Sequence, residues 1–257
     1  MRRARFSRVI VTGAASGIGR CFARTLAAEG SAVGLLDVSE GLLRATSHEL
    51  GGDAQRVYAR VADVSDRASV DGSISSLVSD LGGLDLLVHC AAALFPGRFL
   101  EQAPADFERA IAVDLVGTAN VVRAGARFLT VSRGAVVCLA STAAIHGWPK
   151  MSAYSAAKFG VAGFCDSVRT ELRDSGVLVT TVFPLLIATP LLDGADSAPI
   201  LAAGKAIPPD AVVRKTLRAV ARGRSRVYVP STVRWIAATQ GLAPALLDWY
   251  GRRYGLP

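Results

Sequence analysis

Six apolar runs of strand length alternate with segments of helical periodicity along the first 184 residues, and this alternation restricts the architecture more than any other feature. The runs are RVIVTG (8–13), AVGLLD (32–37), RVYARVADV (56–64), LDLLVHCAA (84–92), GAVVCLAS (134–141) and VLVTTVFP (177–184). They are apolar at nearly every residue and need cover on both faces, which a parallel sheet between two helix layers supplies. Between the first two runs, Ile18, Phe22 and Leu26 share one helical face and Gly30 stops the helix. In 152–176 the apolar set is Val161, Phe164, Cys165, Val168 and Leu172. Further helices are predicted over 40–50, 67–81, 103–129 and 209–221, with a strand-like RVYVP at 226–230. The expected fold is α/β, a single doubly wound parallel sheet with helices on both faces and ligands at the carboxyl ends of its strands. No linker, repeat or low-complexity segment divides residues 1–257, so they read as one domain.

The stretch TGAASGIG (Thr12 to Gly19) joins the first strand to the first helix. Gly13, Gly17 and Gly19 allow a tight turn and let the backbone approach a pyrophosphate, and the helix start offers N–H groups and a positive dipole end. In this strand–turn–helix context the pattern points to a Rossmann-like dinucleotide site. Asp37 ends the second strand, where a carboxylate can accept from a ribose 2′-hydroxyl and repel a 2′-phosphate. Neither Ser16 nor Val38 offers a positive charge, so NAD is expected over NADP. The plainer role for Asp37 is to cap the next helix.

The net charge of +8 arises from 29 Lys+Arg against 21 Asp+Glu, but the arginines are scattered and no aromatic-interleaved basic stripe appears. Nucleic acid is therefore not an expected partner. Cys21, Cys90, Cys138 and Cys165 form no CxxC, and His48, His89 and His146 lack metal-ligand spacing. No metal site is expected, and the cysteines read as small buried hydrophobes of a cytoplasmic protein. The start, MRRARFSRVIVTG, lacks the apolar core of a signal peptide.

A second motif lies in AYSAAKF (153–159), where Tyr154 and Lys158 are four residues apart and share a helical face. Ser141 precedes Tyr154 by 13 residues, at the end of the fifth strand. Together with the glycine spacing, this resembles the short-chain dehydrogenase/reductase family over residues 8 to 190 or so. The resemblance implies a catalytic set of Ser141, Tyr154 and Lys158, with Asp114 of DLVG standing where the family usually has an asparagine. It also implies cofactor contacts from Gly13, Ser16, Gly17, Ile18, Gly19 and Asp37, then Asp63, Val64 and Ala91. Further contacts would come from Tyr154, Lys158, Pro184, Ile187 and Thr189. Three places depart from the family pattern: His89-Cys90-Ala91-Ala92 replaces N-N-A-G, Asp114 replaces asparagine, and Leu185 replaces the glycine after Pro184.

The reaction so implied is hydride transfer between nicotinamide and a secondary alcohol or ketone. A free tyrosine has a pKa of about 10, and a cation at i+4 with the nicotinamide ring would favour its phenolate. Lys158 can supply that cation and hold the nicotinamide ribose, and Ser141 can position the substrate oxygen. Asp114 keeps the backbone carbonyl of a proton relay while adding a negative charge that favours charged Lys158 and raises the tyrosine pKa. Two other functions fit less well. A NAD-binding sensor or scaffold has no need of Ser141, Tyr154 and Lys158, and epimerases or dehydratases with Y-x-x-x-K are longer chains.

Residues 189–210 are expected to cover the substrate. Their Leu, Ile and Ala, with His146 and Trp148, suggest a small apolar alcohol or ketone. In the extension 231–257, Trp235, Thr239, Leu242, Leu246 and Trp249 recur at spacings of three or four, and Gly241 and Pro244 break it into two short helices. This segment is expected to pack on the core, over the pocket or in a homodimer or homotetramer interface. The alternative is association with a membrane surface.

Overall fold

The computed structural model describes residues 6–192, 206–247 and 249. Seven strands, β1 (Arg8–Thr12), β2 (Ala32–Asp37), β3 (Val57–Val61), β4 (Leu86–His89), β5 (Ala135–Leu139), β6 (Leu178–Pro184) and β7 (Arg226–Val229), form one parallel sheet. Their order is β3-β2-β1-β4-β5-β6-β7, so the chain reverses direction across the sheet between β1 and β4. The six expected strands are present and RVYVP supplies the seventh. The third and fourth runs leave the sheet before their predicted ends, which puts Asp63, Val64 and Ala91 in loops beyond the strands.

The apolar strands bury both faces by alternation. Val9 and Val11 of β1 enter one core with Phe22 and Leu26 of α1 (Gly17–Ala28), while Ile10 enters the other. Leu43 of α2 (Glu40–Glu49) and Val212, Val213 and Val220 of α7 (Pro209–Val220) complete the first core. The second is filled from α3 (Arg67–Leu81), α5 (Gly117–Ser132) and α6 (Ser152–Glu171). A further helix, α8 (Val233–Leu242), touches this second core through Val233, Ile236 and Ala237, and helical residues 244–247 follow it.

The long helix expected over 103–129 is interrupted. It starts as α4 (Pro104–Ala110), widens to a π-helical segment at Ile111–Val116, and resumes as α5. Such widened turns accompany functional sites, because they swing a side chain out of ordinary helical register. Close packing fixes this one on both sides. A Cβ on Gly117 would lie 2.7 Å from Val64 Cγ2, and one on Gly160 of α6 would lie 2.7 Å from Leu115 Cδ2. Glycine at these two positions lets the segment approach without displacing Val64 or Leu115, and the approach brings Asp114 to α6.

Candidate active site

At the carboxyl ends of β1 to β4 a cleft of about 270 Å³ opens. Its floor is the glycine loop. Gly13 (φ 64°) and Gly17 (φ 51°) adopt left-handed backbone that a side chain disfavours. A Cβ on Gly19 would sit 2.0 Å from the Gly13 carbonyl oxygen, and one on Gly13 would sit 2.7 Å from Ala91 N. Ser16 makes no side-chain capping bond, which leaves the first-turn amides of α1 open to a phosphate.

The walls are polar at fixed points. Asp37 accepts from Ala15 N–H at 3.0 Å and Ser39 N–H at 2.9 Å, so its carboxylate is held on the rim while also ordering the turn into α2. Asp63 accepts from Ser65, and its other oxygen accepts from Arg109 Nη2 at 2.8 Å. These partners outweigh the burial that opposes the charge, and hold the Asp63 carboxyl below its ordinary pKa. Ser16, Ile18, Val64, Ala91 and Thr189 also line the cleft, with Thr189 against Gly17. Pro184 and Ile187 are buried and do not line the cleft. Nothing in the sequence pointed to Arg109, because its partner lies 46 residues away.

Beyond the cleft lies a second wall, built from side chains. Ser141 follows β5 in extended backbone, and its Oγ accepts from Ala143 N–H at 3.1 Å. Tyr154 is half-buried, and the nearby Ser141 hydroxyl favours its phenolate. Lys158 Nζ lies 5.3 Å from the Tyr154 ring centroid and donates to Leu139 O at 3.2 Å. Asp114 Oδ2 is 3.1 Å from the same Nζ, and Asp114 Oδ1 accepts from Ala93 N–H at 2.7 Å. Ala93 lines the cleft, so one connected line runs from the cleft through Asp114, Lys158 and Tyr154 to Ser141.

Both charges of the pair are buried, with side-chain exposures of 3% for Lys158 and 0% for Asp114. Burial opposes the lysine charge, but Asp114 and then Tyr154 outweigh it and hold the ammonium above its ordinary pKa. Burial likewise pushes the Asp114 carboxyl up, against Lys158 and the Ala93 amide. The protein alone does not lower the Tyr154 pKa. Burial first, and Asp114 with it, raise the phenol against the pull of Lys158 and Ser141. Asp114 thus has the electrostatic effect expected from its charge. It meets Lys158 directly, however, and is wholly buried.

Replacement of the family's asparagines by His89 and Cys90 has a local compensation. His89 Nδ1 lies 2.7 Å from Thr12 Oγ1, which also accepts from Cys90 N–H at 3.3 Å, so the hydroxyl ties β4 to β1. Burial, then Lys158, pushes the His89 pKa down to about 3, and the ring is neutral. Burial also raises the Cys90 thiol. His146 and Trp148 stand edge to face at 4.9 Å between Ser141 and Tyr154 in the chain, and His146 Nδ1 lies 3.0 Å from Gln240 Oε1 of α8. Most of the expected substrate cover, 193–205, lies outside the described residues, as does 250–257 of the extension.

The sequence profile of the short chain dehydrogenase family matches residues 7–199. The chain is 38% identical over 187 residues to 2-dehydro-3-deoxy-L-rhamnonate dehydrogenase (NAD(+)) of a Sphingomonas strain, covering 72% of this chain and 73% of that protein. It is 35% identical over 185 residues to D-threitol dehydrogenase of Mycolicibacterium smegmatis, covering 71% and 70%. Among solved structures, a short chain dehydrogenase/reductase from Burkholderia phymatum in complex with NAD superposes with a TM-score of 0.86 over 96% of this chain and 97% of that one. At 24% identity that likeness concerns the fold.

Proposed function

Because the chain belongs to the short chain dehydrogenase family, we propose that it transfers a hydride between nicotinamide and a secondary alcohol or ketone, with NAD preferred over NADP and an apolar substrate. The observation that carries the reading is the line from Ser141 through Tyr154 and Lys158 to the cleft, since a protein that only bound the dinucleotide would not need it. The cleft fits a dinucleotide: open helix amides at a glycine floor suit a pyrophosphate, and Asp37 on the rim suits a ribose diol.

A bound nicotinamide ring supplies the hydride acceptor for oxidation and the donor for reduction. The remaining work falls to this chain's own groups. Ser141 holds the substrate oxygen beside the Tyr154 hydroxyl. In oxidation the phenolate oxygen takes the alcohol proton as the carbinol carbon loses its hydride, and in reduction the neutral phenol returns that proton to the forming alkoxide. Lys158 stabilises the phenolate, and Asp114 keeps Lys158 charged. The raised Tyr154 pKa makes the phenol the standing form of the cofactor-free chain at neutral pH, which suits reduction, and a bound oxidised nicotinamide ring would favour the phenolate that oxidation needs. Support for NAD comes from the fixed Asp37 carboxylate, which among the described residues accepts from backbone amides and forms no ion pair. A cytoplasmic setting agrees with four free cysteines.

A panel of secondary alcohols and ketones tested with NAD and NADP, followed by absorbance of the reduced cofactor, tests the reading. Turnover is expected with small apolar members and NAD. If both cofactors bind and no substrate of the panel turns over, the sensor or scaffold function takes its place.

A further inference from the structure

At the far edge of the sheet from the glycine loop, an open groove of about 610 Å³ runs between α7, β7 and the start of α8. Arg214, Lys215, Arg218 and Arg222 line it from α7 and the turn that follows. Arg224 and Arg226 face them from β7 and its approach, and Arg234 closes the end at α8. Among the described residues these seven cations meet few carboxylates. Asp210 pairs with Arg214, and Asp166 with Arg226 at 2.5 Å, but Asp166 also serves Arg169. Lys215 Nζ donates to Ser231 Oγ at 2.5 Å, and burial followed by Arg234 lowers its pKa. So dense a patch of one sign destabilises the free protein, and a polyanion would relieve it.

The adjoining helix turns the wrong way for a free surface. Val233, Ile236 and Ala237 of α8 pack on the core, while Trp235 (61% exposed) and Leu242 (88%) stand a helical i, i+7 apart on the solvent side. Leu246 (55%) and Trp249 (52%) continue the exposed apolar set. Arg234 stacks over the Trp235 ring at 5.0 Å, which joins the cations to the apolar stripe.

We propose that the α7–β7–α8 face docks on an anionic lipid surface, the arginines meeting headgroup phosphates while Trp235 and Leu242 enter the headgroup boundary. The pairing of a cation cluster with a tryptophan and leucines is what an interfacial helix uses. A second copy placed by a two-fold axis would bring the groove against its own charge, which disfavours a dimer through this face. Nucleic acid would satisfy the cations and leave Leu242 and Leu246 in water.

Flotation of the full chain with vesicles at about 0.1 M salt tests this. Phosphatidylcholine vesicles with about a third phosphatidylglycerol should carry the protein, at least tenfold more tightly than pure phosphatidylcholine. Arg218→Glu with Arg222→Glu, and separately Trp235→Ser with Leu242→Ser, should each weaken partitioning about tenfold or more. Both pairs lie outside the active site, so melting temperature and turnover should stay at the wild-type level. No flotation with the anionic vesicles overturns the proposal. So does binding that survives both double substitutions, or light scattering that shows a dimer lost on Trp235→Ser with Leu242→Ser.

Discussion

The cleft and the wall behind it are built in opposite ways. The glycine floor is almost entirely backbone: helix amides, left-handed turns and carbonyls brought so close that a methyl group would not fit at Gly13 or Gly19. Its two carboxylates, Asp37 and Asp63, are held at the surface by amides, hydroxyls and Arg109. The second wall is all side chains, and its charges are buried and paired. Backbone groups recognise a shape common to all dinucleotides, whereas buried side chains set a proton affinity. Substitutions on the floor should therefore change binding, and substitutions on the wall should change rate or pH dependence.

The sharpest break of that contrast is Tyr154→Phe. It should lower turnover by roughly a thousandfold, the scale of a lost general acid and base. A fluorescence titration should find NAD affinity within about twofold of wild type, and retained turnover would remove the tyrosine from the chemistry. Gly19→Ala tests the floor. Its methyl group would strike the Gly13 carbonyl, an overpacking cost of about 1–3 kcal/mol that should appear as roughly ten- to hundredfold weaker NAD binding. Calorimetry with NAD reads that change directly, and unchanged affinity would mean that the loop does not hold the pyrophosphate.

Asp37→Ala should narrow the preference for NAD over NADP by about tenfold, the worth of one good hydrogen bond to a charged group. The ratio of kcat/KM values for the two cofactors checks it. Asp114→Asn should leave turnover within a few-fold of wild type and move the ascending limb of oxidation to lower pH. The sign follows from the charge: Asp114 raises the Tyr154 pKa, so without it the phenol ionises sooner. A profile that does not move would show that the carboxylate has no electrostatic reach to the tyrosine.

His89→Asn should change activity least and acid stability most visibly. The His89 pKa is about 3 in the fold against 6.5 free, so between those values the unfolded chain binds the extra proton and stability falls as pH falls. Denaturation midpoints between about pH 7 and pH 4 should decline less steeply in the variant. Equal slopes would place the acid sensitivity elsewhere.

Legibility in the sequence divides along the same line. Strand order could not be counted from apolar runs, but the layers could, because continuous apolar strands need two covers. The glycine floor was legible because its parts are contiguous in the chain, as were Tyr154, Lys158 and Ser141. Arg109 was not, since it reaches Asp63 only when α4 lies over the loop after β3. The direct Asp114–Lys158 contact was hidden as well. A regular helix was expected over 103–129, and the π-helical turn that delivers the aspartate depends on Gly117 and Gly160 meeting neighbours distant in sequence. For the tail, expected on the core, over the pocket or in an oligomer interface, the core contact of α8 is made by Val233, Ile236 and Ala237, whereas Trp235, Leu242, Leu246 and Trp249 are exposed on the single chain, the side open to a second copy or another surface.

The sequence by itself determined what local chemistry requires: a glycine turn into a helix, apolar strands that demand cover, and a tyrosine and lysine on one helical face. These depend on neighbours within a few residues, and steric limits on the backbone leave few choices. Only the tertiary structure decided the charge state of the second wall. The proton affinity of Tyr154 is a balance of burial against Lys158, Asp114 and Ser141, groups that come from three separate stretches of chain. Burial and distance enter that balance together, and neither exists until the chain has folded.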